Sequence, residues 1–180
     1  MVTRGVYIRS ARNDDAPYVT AIYNEGIKSG MGTFETRARD VAEVNAWLDR
    51  QTIYPVLVAE IEGEVIGFAR LMEYRPRECY STIAEFSIYL LSDFQGKGVG
   101  TQLLRKLLVV AKSAGFHKII SRIFTFNDAS RALCRKCGFR EVGIYHNHGQ
   151  LNNRWLDVAI VECLIPSVFF GTGLLVSEVD

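Results

Sequence analysis

An α/β protein, with a mixed central sheet and helices on both of its faces, is the fold class that this 180-residue sequence predicts. Three observations carry that expectation. Apolar, β-branched runs at Pro55–Glu60 and Val65–Met72 meet at Glu62-Gly63 and read as a β-hairpin. Strand-like segments on either side of residues 99–114 enclose a stretch with apolar residues at helical spacing. The composition, 48% apolar and 23% charged, suits one compact domain that buries about 70% of its unfolded surface. The chain carries no internal repeat, linker or low-complexity segment, so a single domain is expected over residues 1–166, with a C-terminal tail over 167–180.

The elements follow in order. Tyr7 to Ser10 reads as a short strand, and Asn13 to about Lys28 as a helix with Asn13 as cap and Pro17 in the first turn. Asp40 with Glu43 has the spacing of a capping box and opens a helix carrying Val41, Val44, Trp47 and Leu48. The hairpin comes next, then a longer strand from Ser81 to Leu91. Val99, Leu103, Leu104, Leu107, Leu108 and Ala111 recur every three or four residues, which predicts a helix that begins at the preceding glycines and ends before Gly115. A strand near Lys118–Phe124, a helix near Ala129–Cys137 closed by Gly138, and strands near Arg140–His146 and Arg154–Ile165 complete the order β-α-α-β-β-β-α-β-α-β-β.

Charge and composition exclude several classes of function. A formal charge of +1 with scattered basic residues gives no basis for binding nucleic acid or an anionic membrane. No apolar stretch approaches the roughly 20 residues of a membrane span, and no N-terminal signal region is visible, so a cytoplasmic protein is expected. The four cysteines, at 79, 134, 137 and 163, include one C-x-x-C without a second ligand pair at zinc-like spacing. Reduced, packed thiols and no metal are expected.

The run Asp93-Phe94-Gln95-Gly96-Lys97-Gly98-Val99-Gly100 is the strongest chemical signal. Three glycines at every second position let successive N–H groups face one point, and the helix that follows aims its positive end there. Such a nest binds phosphate, each dipole contact contributing about 0.3–1 kcal/mol. Lys97 is not followed by Ser or Thr, so the loop is not a Walker A motif, and its glycine spacing is not that of the dinucleotide fingerprint.

Gln95-Gly96-Lys97-Gly98-Val99-Gly100 resembles the Gln/Arg-x-x-Gly-x-Gly/Ala signature of the GNAT family of N-acetyltransferases. The element order is that family's too, with a V-shaped splay between the strands that flank the loop helix. Thr33-Phe34-Glu35-Thr36, Tyr74-Arg75-Pro76-Arg77, Ala84-Glu85-Phe86-Ser87-Ile88-Tyr89 and Asn127-x-Ala129-Ser130 resemble its phosphinothricin N-acetyltransferase branch. Ser121-Arg122-Ile123-Phe124, Arg131-Ala132-Leu133-Cys134-Arg135 and Tyr145-x-x-His148-Gly149 are similar to the arsinothricin N-acetyltransferases. The resemblance spans about residues 7 to 165. It implies acetyl-CoA as cosubstrate, with Gln95, Gly96, Lys97, Gly98, Val99, Gly100 and Thr101 around the pyrophosphate. The backbone of Ile88, Tyr89 and Leu90 would pair with the pantetheine arm, and Asn127, Ser130 and Leu133 would touch the cofactor from the next helix. Taken alone, Asn127 and Ser130 serve equally well as helix caps.

Acetyl transfer to an aliphatic amine requires loss of a proton, because the amine is largely ammonium at neutral pH. Glu85 interrupts an apolar strand just upstream of the cofactor stretch and is the candidate base, directly or through a water. The residues alone leave a second reading, an outward strand carboxylate paired to an arginine. Many family members place a tyrosine where this chain has Cys134, so the general acid is unassigned and Cys134 is read as packing. Arg75 and Arg77, held apart by Pro76, have the chemistry to bind an oxyanion bidentately, and the resemblance assigns this loop to the acidic group of a glutamate analogue. Phe34 would wall the substrate pocket, from its own or a neighbouring subunit. The expected activity is acetylation of the α-amino group of arsinothricin or phosphinothricin, giving resistance, by a homodimer. Alternatives are acetylation of methionine sulfone, methionine sulfoximine or another small amine, and a CoA-binding sensor without turnover.

Overall fold

A computed structural model of the chain describes residues 5–166; the expected tail at 167–180 lies outside them. Seven strands form one sheet in the order β1-β2-β3-β4-β5-β7-β6. They are β1 (Tyr7–Ser10), β2 (Val56–Ile61), β3 (Glu64–Glu73), β4 (Ile83–Leu90), β5 (Lys118–Phe124), β6 (Arg140–Leu151) and β7 (Arg154–Leu164). The helices are α1 (Ala16–Ser29), α2 (Val41–Leu48), α3 (Val99–Ser113) and α4 (Asp128–Lys136). All neighbouring strands are antiparallel except β4 and β5, which α3 connects in parallel.

Side chains alternate across the strands and so divide the core into two layers. Leu57, Ile66, Leu71 and Phe86 face α3, meeting Leu103, Leu104 and Leu107. Val56, Val58, Val65 and Phe68 face the other way, onto Val19 and Ile22 of α1 and Val44 and Leu48 of α2. The β2–β3 hairpin turns at Glu62 and Gly63, both with positive φ, as the sequence predicts. Asp40 closes the expected capping box, its carboxylate accepting from Glu43 N–H at 2.8 Å.

Three boundaries differ from the sequence reading. Asn13 is not the cap of α1: residues Asn13–Asp15 form a 3₁₀ turn, and the buried Asp15 carboxylate accepts from Arg12 N–H at 2.7 Å and from the Arg9 guanidinium. Strand β4 starts at Ile83 because a 3₁₀ turn at Glu78–Tyr80 takes up the chain before it. Strand β6 runs on to Leu151, through a bulge between Tyr145 and Gly149 where Asn147 adopts positive φ. Asn152 and Asn153, also at positive φ, then make the tight turn into β7.

The feature that creates a site is the separation of β4 from β5. Their pairing covers Ile83↔Lys118, Ala84↔Ile119 and Glu85↔Ile120 and then stops, although β4 continues to Leu90 and β5 to Phe124. The strands splay into the expected V. Among the described residues no helix is long and apolar enough to cross a membrane, and no group of three or more His, Cys, Asp or Glu side chains could hold a metal ion. All four cysteines are free thiols.

Candidate active site

A groove of about 630 Å³ runs from the glycine loop along the open edge of β4 to α4, lined by Leu90, Gly96, Gly98, Thr101, Ser130 and Lys136 among others. A narrower cleft continues from it into the β4–β5 gap, sharing Ile88, Tyr89, Asn127, Ser130 and Leu133, and ends at Ser87, Ser121 and Arg122. One continuous path therefore joins the glycine loop to the point where the strands part.

The loop is built as an anion nest. Gly96 and Gly98 hold φ of 71° and 84°, which a side chain disfavours, and Gly98 is the N-terminal boundary of α3. The first donor with a partner in this helix is Gln102, whose N–H reaches the Gly98 carbonyl, so the N–H groups of Val99, Gly100 and Thr101 precede the helical ladder. The Val99 side chain is in the core, leaving its backbone for the loop. Gly100 fits between Leu90 and Leu133, where a Cβ would come within 3.3 Å of the Leu133 methyl. Gln95 turns its amide inward, donating to Leu90 O at 3.1 Å, and Lys97 lies over the Phe94 ring. These residues fit a pyrophosphate through backbone donors, with the Gln95 and Lys97 side chains engaged by the protein itself.

Strand alternation sorts the Ile88-Tyr89-Leu90 stretch. Leu91 N–H donates to Ile66 O on β3, so Tyr89 and Ser87 also turn their backbone to β3. Phe86, Ile88 and Leu90 turn theirs to the gap, where Phe86 O accepts from Ser121 Oγ at 3.0 Å. Ile88 and Leu90 thus present backbone along the groove. Tyr89 contributes its side chain: it stacks on Phe68, meets Tyr23 edge to face and donates to Gly32 O at 3.2 Å. Burial pushes the Tyr89 phenol up.

On the α4 side, the Asn127 carboxamide is the helix cap. It accepts from Ser130 N–H at 3.0 Å and donates to Met31 O at 2.7 Å, tying α4 to the loop after α1. Ser130 and Leu133 line the groove. Cys134 is buried in the core at the wall of the cleft, and burial pushes its thiol up to about 12. Its role in packing agrees with the sequence reading.

Glu85 stands where the strands begin to diverge. Its side chain, 13% exposed, receives a bidentate pair from Arg122: Nε to Oε1 at 3.0 Å, and one terminal nitrogen to Oε1 at 2.8 Å and Oε2 at 2.9 Å. The arginine-paired geometry, which the residues alone left open, is the one the fold adopts. It holds the carboxylate in one orientation beside the cleft. Two carboxylate oxygens offer about four acceptor directions, of which Arg122 occupies three. Phe34 packs edge to face on Phe124 at 4.8 Å and lies so close to Gly149 that a Cβ there would meet its ring at 2.8 Å. Within one chain, Phe34 therefore backs Phe124, which lines the cleft.

Arg75 and Arg77 are not brought into the cleft. Both are exposed, with Arg75 over the Tyr74 ring and Arg77 N–H bonded to Arg75 O. The sequence reading missed Arg122 as a site residue, because a lone arginine on a strand carries no spacing signal; only the parallel register that sets Glu85 opposite Ile120 puts it beside Glu85.

The family model for the Acetyltransferase (GNAT) family matches residues 14–139. The chain is 36% identical over 158 residues to an L-methionine sulfoximine/L-methionine sulfone acetyltransferase of Pseudomonas aeruginosa, covering 86% of this chain and 92% of the relative. It is 33% identical over 158 residues to a phosphinothricin N-acetyltransferase of Alcaligenes faecalis, covering 86% and 80%. Among solved structures, a GNAT superfamily phosphinothricin acetyltransferase of Sinorhizobium meliloti in complex with acetyl-CoA superposes with a TM-score of 0.82 at 34% identity, covering 89% of this chain and 88% of that one. A ribosomal-protein-alanine N-acetyltransferase of Brucella melitensis gives 0.85 at 35%, covering 88% and 99%. With its splayed strands, its glycine nest at the start of α3 and these relatives, the chain belongs to the GNAT family and is an N-acetyltransferase.

Proposed function

We propose that this N-acetyltransferase uses acetyl-CoA to acetylate the α-amino group of a small amino acid whose side chain ends in a tetrahedral oxo group, phosphinothricin or arsinothricin, and so confers resistance. The observation that carries the reading is the Glu85–Arg122 pair, fixed beside the cleft that leads from the glycine nest. Bound acetyl-CoA supplies a thioester carbonyl. The chain's own residues do the rest: the N–H groups of Val99, Gly100 and Thr101 bind the pyrophosphate, and the Ile88 and Leu90 backbone aligns the arm. Glu85 receives the ammonium proton, directly or through a water, as the nitrogen lone pair attacks the carbonyl carbon. The C–S bond breaks, the nitrogen gives up its second proton as the amide forms, and the departing thiolate takes up that proton to leave as the CoA thiol. Cys134, with its thiol held up to about 12 and its place in the core, is not needed as that donor.

A second reading, acetylation of methionine sulfoximine or methionine sulfone, is favoured by the exposed position of Arg75 and Arg77 outside the cleft, since neutral head groups need no twin-arginine clamp. A cytoplasmic homodimer is part of the proposal. Exposed Val142, Ile144 and Trp155 on the β6–β7 edge support a partner there.

Thiol release from acetyl-CoA by the purified protein, with arsinothricin, phosphinothricin, methionine sulfoximine and glutamate in parallel, tests these readings. Turnover confined to the first two is expected; turnover led by methionine sulfoximine moves the assignment to the second reading. CoA binding without turnover on any of the four overturns the substrate assignment and leaves an unlisted amine or a CoA-binding sensor.

A further inference from the structure

Several arginines stand on or over the sheet face that carries Glu85, and most of them have carboxylate partners. Arg122 is taken by Glu85, and Arg39 by Glu35 at 2.6 Å and Glu43 at 2.9 Å. Arg70 on β3 is different. Its guanidinium lies 3.7 Å from the centre of the Trp47 ring, its one hydrogen bond is to the Met72 sulfur at 3.5 Å, and it has no carboxylate partner among the described residues. A largely buried cation without a counter-ion is costly, and burial accordingly pulls this guanidinium down to about 10, still protonated at neutral pH. Stacking on an indole offsets only part of that cost.

The position of Arg70 gives the unmet charge a use. It pairs in register with Ser87, which lines the cleft, and Met72 beside it pairs with Glu85. Arg70 is therefore the diagonal cross-strand neighbour of Glu85 on one sheet face, a separation of roughly 7–8 Å that a long side chain spans. In an α-amino acid the amine and the carboxylate sit on one carbon. An amine held at Glu85 keeps its α-carboxylate within a few bonds of the cross-strand neighbours of Glu85, Arg70 among them, whereas the side-chain head group can lie several bonds further off.

We infer that Arg70 receives the α-carboxylate of the substrate and makes the enzyme select amino acids over plain amines. The inference rests on the proposal that the acceptor is an amino acid, and it concerns the α-carboxylate, a group distinct from the acidic group of the glutamate analogue that the sequence reading gave to Arg75 and Arg77. Trp47 stacks on the guanidinium plane, and the fork has no carboxylate partner among the described residues, the planar donor set that suits a carboxylate.

The test compares phosphinothricin and methionine sulfoximine with their α-methyl esters, in thiol-release assays of wild type, Arg70→Met and Arg70→Lys. Wild type is expected to favour the acids by about 10- to 100-fold in kcat/KM. Arg70→Met should abolish that preference, chiefly through a higher KM for the acids, while acetyl-CoA affinity measured by calorimetry stays unchanged. Arg70→Lys, which keeps the charge without the fork, should retain part of it and remains informative if the Met variant does not fold. Equal use of acid and ester by wild type overturns the inference, as does an intact preference in either variant. A changed ratio between phosphinothricin and methionine sulfoximine with an unchanged acid-to-ester ratio also overturns it, in favour of the head group. Failure of wild type to acetylate any amino acid refutes the underlying reading instead.

Discussion

Replacing Glu85 with Gln, Arg122 with Met, and both together separates chemistry from positioning at the centre of the site. The Arg122 guanidinium is 49% exposed, so solvent screens the pair and its contribution to stability is about 1 kcal/mol or less. Each variant should therefore melt within about 2–4 °C of wild type. The effect on rate is expected to be far larger. Loss of a general base lowers kcat by roughly 10²–10⁴, and Glu85→Gln leaves the glycine nest and thus cofactor affinity intact. Arg122 fixes the carboxylate through three hydrogen bonds, and releasing it allows a displacement of the order that costs about 10² in rate. Because Arg122 acts through Glu85, adding Arg122→Met to Glu85→Gln should change kcat by no more than about twofold, the scatter of independent sites. Steady-state thiol release at saturating acetyl-CoA gives all four rates. A double variant slowed by the product of the single effects would refute the positioning role, and an undiminished kcat in Glu85→Gln would remove this carboxylate from the reaction.

Two further outcomes test the framework around the site. A methyl group at Gly67 would lie 2.1 Å from a Leu90 methyl and 2.9 Å from Tyr89 O, a backbone atom that cannot swing away. Gly67→Ala should cost about 1–3 kcal/mol and weaken acetyl-CoA binding by displacing the groove edge of β4; a melt and a CoA affinity equal to wild type would contradict this. At Asp15, burial pushes the carboxyl up, but the Arg9 bonds and the Arg12 N–H outweigh it and hold the group below its ordinary value. The native state thus binds this proton less readily than the unfolded chain, so the stabilisation is complete above the unfolded value near 4 and is lost as pH falls through the folded one. Asp15→Asn should cost roughly 1.5–3 kcal/mol at pH 7 in urea denaturation, with the difference from wild type shrinking from pH 4 to pH 3. A constant difference across that range would show that the charge is not responsible.

Much of this architecture was legible in the chain. The apolar, β-branched runs at 55–72 and the helical spacing at 99–114 needed only local patterns, as did the capping box at Asp40 and Glu43 and the turn at Glu62-Gly63. The glycine nest was equally plain, since positive φ at Gly96 and Gly98 is a backbone requirement written into residue type. The start of α1 was misplaced because the Asp15 carboxylate, held by Arg9 on β1, takes the Arg12 N–H and closes a 3₁₀ turn, and the start of β4 because a second 3₁₀ turn at Glu78–Tyr80 takes up the chain before it.

The sequence by itself determined the α/β class through the order of its elements and the phosphate-binding loop through spacing within a short segment, and it carried the resemblance to the acetyltransferase family along most of its length. Tertiary structure alone decided which charges meet. The parallel register of β4 and β5 gave Glu85 its arginine, and the antiparallel register of β3 and β4 set Arg70 diagonally across from Glu85. It also left Arg75 and Arg77 outside the cleft. Ion pairing depends on distances between residues far apart in the chain, and the fold fixes those through strand order and register.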